Sequence, residues 1–448
     1  MVYIKPIDYV LLLFYSVVFF FIFKLKGKKY ISTGLYQYFI TAFWLRIIGS
    51  AFYASVVQFY YGYGDSFTFF KGSNFIRSVI ASENNSIFPF FYSGETLSRL
   101  FSITEGGDGY LESGLSVDSN LLVMKISAAL SYISFNSYIV VSAFFGVFAF
   151  LGIWKLFCVF TEITNNKSNR LLALFILYLP SICFWGSGLI KDSICLGALC
   201  FSVSIIYKLF IKKQFSIFDL IQLLLFLYLL FTIKSYIAGG LIFSILIVLI
   251  ITAINKIQNK LLKLTSSIGL ILIGWLFFSF TVSNYIETLL DESKAYIETF
   301  KNSYSNAELE DDRSLASFTG EDFDMSISNL IVQSPLVFFG TLFRPYIWET
   351  RKPIMLLSAA ETMIGFLFAL FLLFKGKVYR FFYYIITDEL LLFCMIFTIV
   401  ITLIVGFTTF NFGTLVRYRI PVLPFFYFLL ISVYQKQSAK NIFISTAK

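Results

Sequence analysis

The apolar positions of this chain do not alternate, and they do not recur as helical stripes. They run on without a break. Such runs lie near residues 7–23, 36–58, 137–157, 171–187, 189–207, 217–233, 237–254, 265–283, 354–374, 390–408 and 420–434. A bilayer core takes roughly 20 apolar residues per helix, so the pattern predicts about eleven transmembrane helices. The expected fold class is all-α, a polytopic integral membrane protein. Two shorter apolar pieces, 121–135 and 329–343, are too short to cross comfortably and are expected to be interfacial or re-entrant helices.

The loops between the runs carry an alternating charge. Lys24, Lys26, Lys28 and Lys29 fill the first, and Lys167 and Arg170 the third. Lys208, Lys212 and Lys213 fill the fifth, Lys256, Lys260 and Lys263 the seventh, and Lys375, Lys377 and Arg380 the ninth. The tail has Lys436, Lys440 and Lys448. Excess Lys and Arg marks cytoplasmic loops. The expectation is a cytoplasmic (inner) membrane protein, N-terminus outside and C-terminus inside. The two long acidic loops, 59–136 and 284–353, then lie outside. No internal repeat is evident, so residues 1–448 are expected to form a single transmembrane domain with two external elaborations.

Composition agrees. The chain has 448 residues, is 58% hydrophobic and 20% aromatic, and has a mean hydropathy of +0.81, well above soluble domains. The net charge of +9 is accounted for by the orienting loops and does not call for nucleic acid. There is no histidine, which excludes His bases, His metal ligands and Ser-His triads. Cys158, Cys183, Cys195, Cys200 and Cys394 all lie in apolar runs and read as small helix residues. The first run follows Pro6 and Asp8 rather than a basic segment, and reads as a retained helix.

On this topology a second set of cations falls on the outer face, where few are expected. Lys191, in FWGSGLIKDS, and Lys234, in TIKSYIAGG, lie at helix ends, as do Arg417 and Arg419 in NFGTLVRYRIP. Arg344, Arg351 and Lys352 lie in GTLFRPYIWETRKP, with Glu349 the sole acid among them. A lone cation at the lipid boundary is usually a snorkelling side chain. A set suits a phosphate or pyrophosphate head whose tail stays in the bilayer, because Arg offers bidentate donors and Lys a point charge. Tyr346, Trp348 and Trp185 can stack on sugar rings, although interfacial anchoring is their commoner use.

Other ionisable residues stand out. Arg46 and Glu361 lie inside apolar runs, where a charge costs about 2.5–3.5 kcal/mol unless paired or facing a cavity. They read either as a structural ion pair, mutual or local, or as functional groups. Asp65 follows Gly62 and Gly64, which free the backbone to turn. It is expected to open an interfacial helix with Phe69, Phe70, Ile76 and Ile80 toward lipid, and to act as a helix cap or as a general base. Asp192 reads as a helix cap favoured by the helix N-terminus, or as a second carboxylate in the same cavity as Asp65. Glu321 to Asp324 offers oxygen ligands of the kind a divalent cation prefers, but acidic loop runs are usually just solvated. No cofactor is expected.

The GD-plus-aromatic opening of the first external loop, then SYIVVSAFFGVFAFLGIWKLF, then LALFILYLPSICFWGSGLIKDSICLGALCFSVSIIYKLF, resembles the N-terminal half of the GT-C superfamily of membrane glycosyltransferases over about residues 59–210. The resemblance implies a polyprenyl-phosphate-linked sugar donor and a glycan or protein acceptor. It implies that Asp65 is the first-loop catalytic carboxylate, that Asp192 is the second acid, and that the external Lys and Arg hold the donor phosphate. Asp65 has no acidic neighbour and its loop follows the second run, not the first, which departs from the family pattern. The LFRPYIWE and RYRIP segments equally suit O-antigen and exopolysaccharide polymerases. A flippase or transporter of lipid-linked glycans is the non-catalytic alternative.

Overall fold

The structure is a computed structural model. It describes residues 3–259, scattered positions between 261 and 272, and residues 327–350, 353–376, 378–409 and 412–445. The expected span at 265–283 falls almost entirely outside them, as do Glu321 to Asp324, Arg351 and Lys352. Among the described residues the secondary structure is helical throughout. Among the described residues, seven helices are long and apolar enough to cross a membrane, or eight if a bent pair, Phe412–Tyr418 with Leu423–Ser438, is one span. The protein is thus a multi-pass, all-α membrane protein. Its chain divides into two compact units, Met1–Ala238 and Gly239–Lys448.

In the first unit, α1 (Pro6–Gly27), α2 (Tyr36–Val56), α7 (Tyr138–Ile163) and α10 (Lys191–Ile206) form the apolar frame. An aromatic cluster joins three of them: Phe23 of α1, Phe39 and Phe43 of α2, and Phe150 and Trp154 of α7. Gly152 and Gly197 let the backbones of α7 and α10 meet, since a Cβ on Gly152 would strike the Gly197 carbonyl.

The first long loop is itself folded. It contains α3 (Asp65–Ser82), α4 (Gly94–Thr104), α5 (Gly109–Ser116) and α6 (Asp118–Ile133). Here one expectation is corrected. Phe69, Phe70, Ile76 and Ile80 do not face lipid; all four are buried. Protein covers α3 instead, with Met124 of α6 set against Gly72 and the Phe70 ring on Tyr138 of α7. An amphipathic stripe shows that a face is buried but not which phase buries it.

The run 171–187 is not one continuous helix. It forms α8 (Asn169–Leu172), a single wide turn to Leu177, and α9 (Pro180–Trp185), followed by a buried non-helical segment, 186–190. Pro180 has no N–H to extend a preceding helix and sits comfortably at a helix start. The runs 217–233 and 237–254 are joined as α11 (Ile217–Asn255), 39 residues long, with the backbone leaving the helix at Lys234 (φ −145°, ψ 80°).

The second unit contains α12 (Ile327–Phe343), α13 (Pro353–Gly376), α14 (Val378–Ile386), α15 (Glu389–Thr408), α16 (Phe412–Tyr418) and α17 (Leu423–Ser445). Asn329–Phe343 is apolar but short for a span.

Candidate functional site

The site is built where α3, α5, α6, α10 and α11 bring four charges together. Gly62 (φ 71°) and Gly64 (φ 137°) turn the chain out of α2 into α3, as their sequence positions suggested. Asp65 is the first residue of α3. Gly64 holds the cap position, and no side chain caps this helix. The Asp65 carboxylate is half-buried and accepts from the Tyr110 hydroxyl at 3.2 Å. The start of α3 is docked on α7: Ser66 Oγ lies 2.7 Å from Tyr138 Oη, and Phe67 and Phe70 pack on the Tyr138 ring.

Tyr110 is placed by a second link. Lys71 of α3 donates to Asp108 at 3.1 Å, and Asp108 also accepts from the Leu111 N–H at the start of α5. Burial raises the Asp108 carboxyl, but Lys71 and the nearby N–H groups outweigh it and hold it below its ordinary value.

Lys191 and Asp192 open α10. The segment before them is seated on α2 and α7. Gly188 lies under the Tyr53 ring, and Gly186 lies against the Arg46 guanidinium. Arg46, 1% exposed, donates to the Ile182 carbonyl of α9. The intramembrane arginine therefore supports the turn that delivers Lys191 and Asp192. Lys191 Nζ donates to Ser119 Oγ of α6 at 2.7 Å. It is also near enough to Lys234, Asp65 and Asp192 for their charges to act on it. Asp192 does not cap α10. Its Oδ1 accepts from Lys234 Nζ at 2.5 Å, with the side chains 1% and 7% exposed.

The four charges play different parts. Asp192 and Lys234 neutralise each other out of solvent. Asp65 and Lys191 remain more accessible, one a carboxylate able to accept a proton and the other a cation able to meet an anion. An apolar cavity of about 330 Å³ is lined by Ile126, Leu130, Phe145, Phe148, Ile194 and Leu229 among others. Ile194 is one turn from Lys191 on α10, and Ile126 two turns from Ser119 on α6, so each pair shares a helix face. Both helices lead from the polar cluster to the apolar space, an arrangement that fits a lipid with an anionic head.

The remaining candidates lie in the second unit. Arg344 pairs with Glu349, Nε donating to Oε1 at 2.9 Å and Oε2 at 3.2 Å and Nη2 to Oε1 at 2.8 Å, and its guanidinium lies 5.2 Å from the Phe412 ring centre. Arg419 is fully buried. It donates to the carbonyls of Thr341 (3.2 Å), Leu342 and Arg344 at the end of α12, and to Ser358 Oγ (2.9 Å). Glu361, 4% exposed, lies close enough to act on Arg419. Arg417 is half-exposed. Tyr346 and Trp348 stack on each other at 5.0 Å, with Trp348 75% exposed.

Sequence reasoning therefore found Asp65, Lys191, Asp192 and Lys234, and the structure brings them together. It missed Tyr110 and Ser119, which no periodicity marks because each acts across dozens of residues of chain. Among the described residues no group of three or more His, Cys, Asp or Glu is placed to hold a metal ion. No family model matches the chain, and no similar curated protein or solved structure was found.

Proposed function

We propose that this protein is a membrane-embedded glycosyltransferase. It moves a sugar or glycan from a polyprenyl-(pyro)phosphate carrier to a glycan or protein acceptor at the outer face of the cytoplasmic membrane. The topology that belongs to this reading is the charge-derived one, about eleven spans with the N-terminus outside. The observation that carries the reading is a half-buried carboxylate, Asp65, near enough to a cation, Lys191, for their charges to interact, with Ile194, one turn from Lys191 on α10, lining an apolar cavity.

In this scheme Asp65 accepts the proton of the acceptor hydroxyl as its oxygen bonds to the sugar C1. The C1–O bond to the carrier phosphate breaks, and the phosphate leaves with its electron pair. Lys191 meets the growing negative charge in a site of low polarity. Tyr110 orients Asp65, and Asp192, spent on Lys234, holds the site in shape. Transfer of a whole repeat unit, as in a polymerase, uses the same steps.

One observation favours the transport alternative. Two apolar stretches are broken, at 186–190 and at Lys234, and broken helices mark transporter sites. The experiment is native mass spectrometry of the full chain in mild detergent with undecaprenyl phosphate, followed by turnover of a lipid-linked sugar. The transferase reading expects Lys191→Gln to lose the lipid phosphate, and Asp65→Asn to keep it but abolish transfer. If lipid-linked sugar crosses the bilayer without transfer, and Asp65→Asn leaves this unchanged, the transport reading replaces it.

A further inference from the structure

Residues 83–94 form a hydrogen-bonded loop between α3 and α4 that displays its apolar side chains. Asn84 and Asn85 turn the chain with φ of 54° and 58°. Phe88–Phe91 then makes one tight 3₁₀ turn around Pro89, which is buried. Two clamps close the base. Tyr92 Oη donates to the Glu83 carboxylate, 2.8 Å from both oxygens, and Lys125 Nζ of α6 donates to the Tyr92 carbonyl at 2.8 Å. Outside this frame stand Ile87 (66% exposed), Phe88 (68%) and Phe91 (77%). The stretch SIFPFFYSG, residues 86–94, has no charge.

Three large apolar side chains on a well-built loop need a phase to receive them. The depth of α6 supplies it. Ile126 and Leu130 of α6 share a cavity with Phe144 to Leu151 of α7, which lie roughly 9–20 Å along that spanning helix from its start. The loop hangs from Lys125, the residue beside Ile126. We propose that residues 86–93 are an apolar finger inserted into the lipid at the membrane interface, so that the folded loop α3–α6, the cap, is held to the bilayer. The uncharged aromatic tip matches the interfacial region, where aromatic rings are favoured. This inference does not depend on the transferase reading.

The test uses the full chain in phosphatidylcholine liposomes. An environment-sensitive fluorescent amino acid replaces Phe88, and in a second protein Asn85, an exposed polar position of the same loop. Dibrominated phosphatidylcholine is expected to quench the position-88 probe at least about two-fold more than the position-85 probe, with aqueous iodide showing the reverse order. Equal access to iodide, with no effect of the brominated lipid, would place the finger in water and overturn the proposal. Protection from both quenchers would mean that protein covers it, a partner or a second copy, and overturns it equally. In the unmodified chain, a diazirine-bearing phosphatidylcholine should form adducts within residues 83–94. Adducts on the spanning helices but none there would also defeat the idea.

Discussion

Lys234 Nζ lies 2.5 Å from Asp192 Oδ1, and Lys234 is also the residue at which α11 leaves the helical backbone. The break and the ion pair are one feature. A lysine in apolar surroundings is costly unless its charge is met, and Asp192, at the start of α10, meets it. Removing one partner from a buried pair leaves the other charge exposed to a low dielectric, whereas removing both can be nearly neutral.

Asp192→Asn and Lys234→Met are therefore each expected to destabilise the protein by about 3–5 kcal/mol, and the double variant by much less. Thermal unfolding in detergent checks this. Additive losses in the double variant would mean that the two side chains do not share a term.

Asp65 and Tyr110 test the chemistry. If Asp65 is the base, Asp65→Asn lowers transfer by roughly 10²–10⁴-fold without loss of bound carrier. Tyr110→Phe removes one hydrogen bond to that carboxylate and costs less, about 0.5–1.5 kcal/mol or up to roughly ten-fold. Turnover measured beside carrier retention separates the two. Equal turnover in Asp65→Asn and the parent would end the assignment.

The link between Lys71 and Asp108 gives the cap a pH dependence. The Asp108 carboxyl is held below its ordinary 3.8. Its contribution is therefore complete above that ordinary value and is lost as pH falls through the lower folded-state value. Hydrogen exchange of the α5 amides, corrected for intrinsic rates, should show the cap loosening in strong acid. Lys71→Gln should move that loosening to higher pH; an unmoved midpoint would show that the pair does not hold α5.

Arg419 is expected to behave as architecture. Arg419→Gln strips donors from buried carbonyls at the end of α12, each worth about 1–3 kcal/mol when left unsatisfied. The expected result is a lower unfolding temperature with no selective loss of bound lipid phosphate. An unchanged unfolding temperature with lost phosphate would instead return Arg419 to the binding set.

Arg46 is expected to act through position. Arg46→Met leaves the Ile182 carbonyl with the Gly186 N–H alone and loosens the segment that carries Lys191. Carrier retention should fall together with stability. Arg46→Lys, a point charge in place of a planar fork, should restore only part of both. Full retention in Arg46→Met would show that the 186–190 turn stands without it.

Length of apolar run determined the all-helical, multi-pass character from the sequence alone. Hydrocarbon has no water to satisfy a backbone, so a long apolar run has to be a helix wherever it lies. That reasoning identifies α1, α2, α7, α10, α13 and α15 and the short α12. It also picks out Gly62, Gly64, Asp65, Lys191, Asp192 and Lys234, because charges and glycines stand out against apolar surroundings. Tertiary structure decided the rest. Pro180 and the buried turn after it interrupt a run that hydropathy reads as continuous. Phe69, Phe70, Ile76 and Ile80 are buried within the protein, since an apolar stripe does not say whether lipid or protein will cover it. Arg419 turns to backbone carbonyls, Asp192 turns to Lys234, and Tyr110 reaches Asp65. Each of those partners is distant along the chain, and such pairings are set by packing in three dimensions rather than by any local pattern of residues.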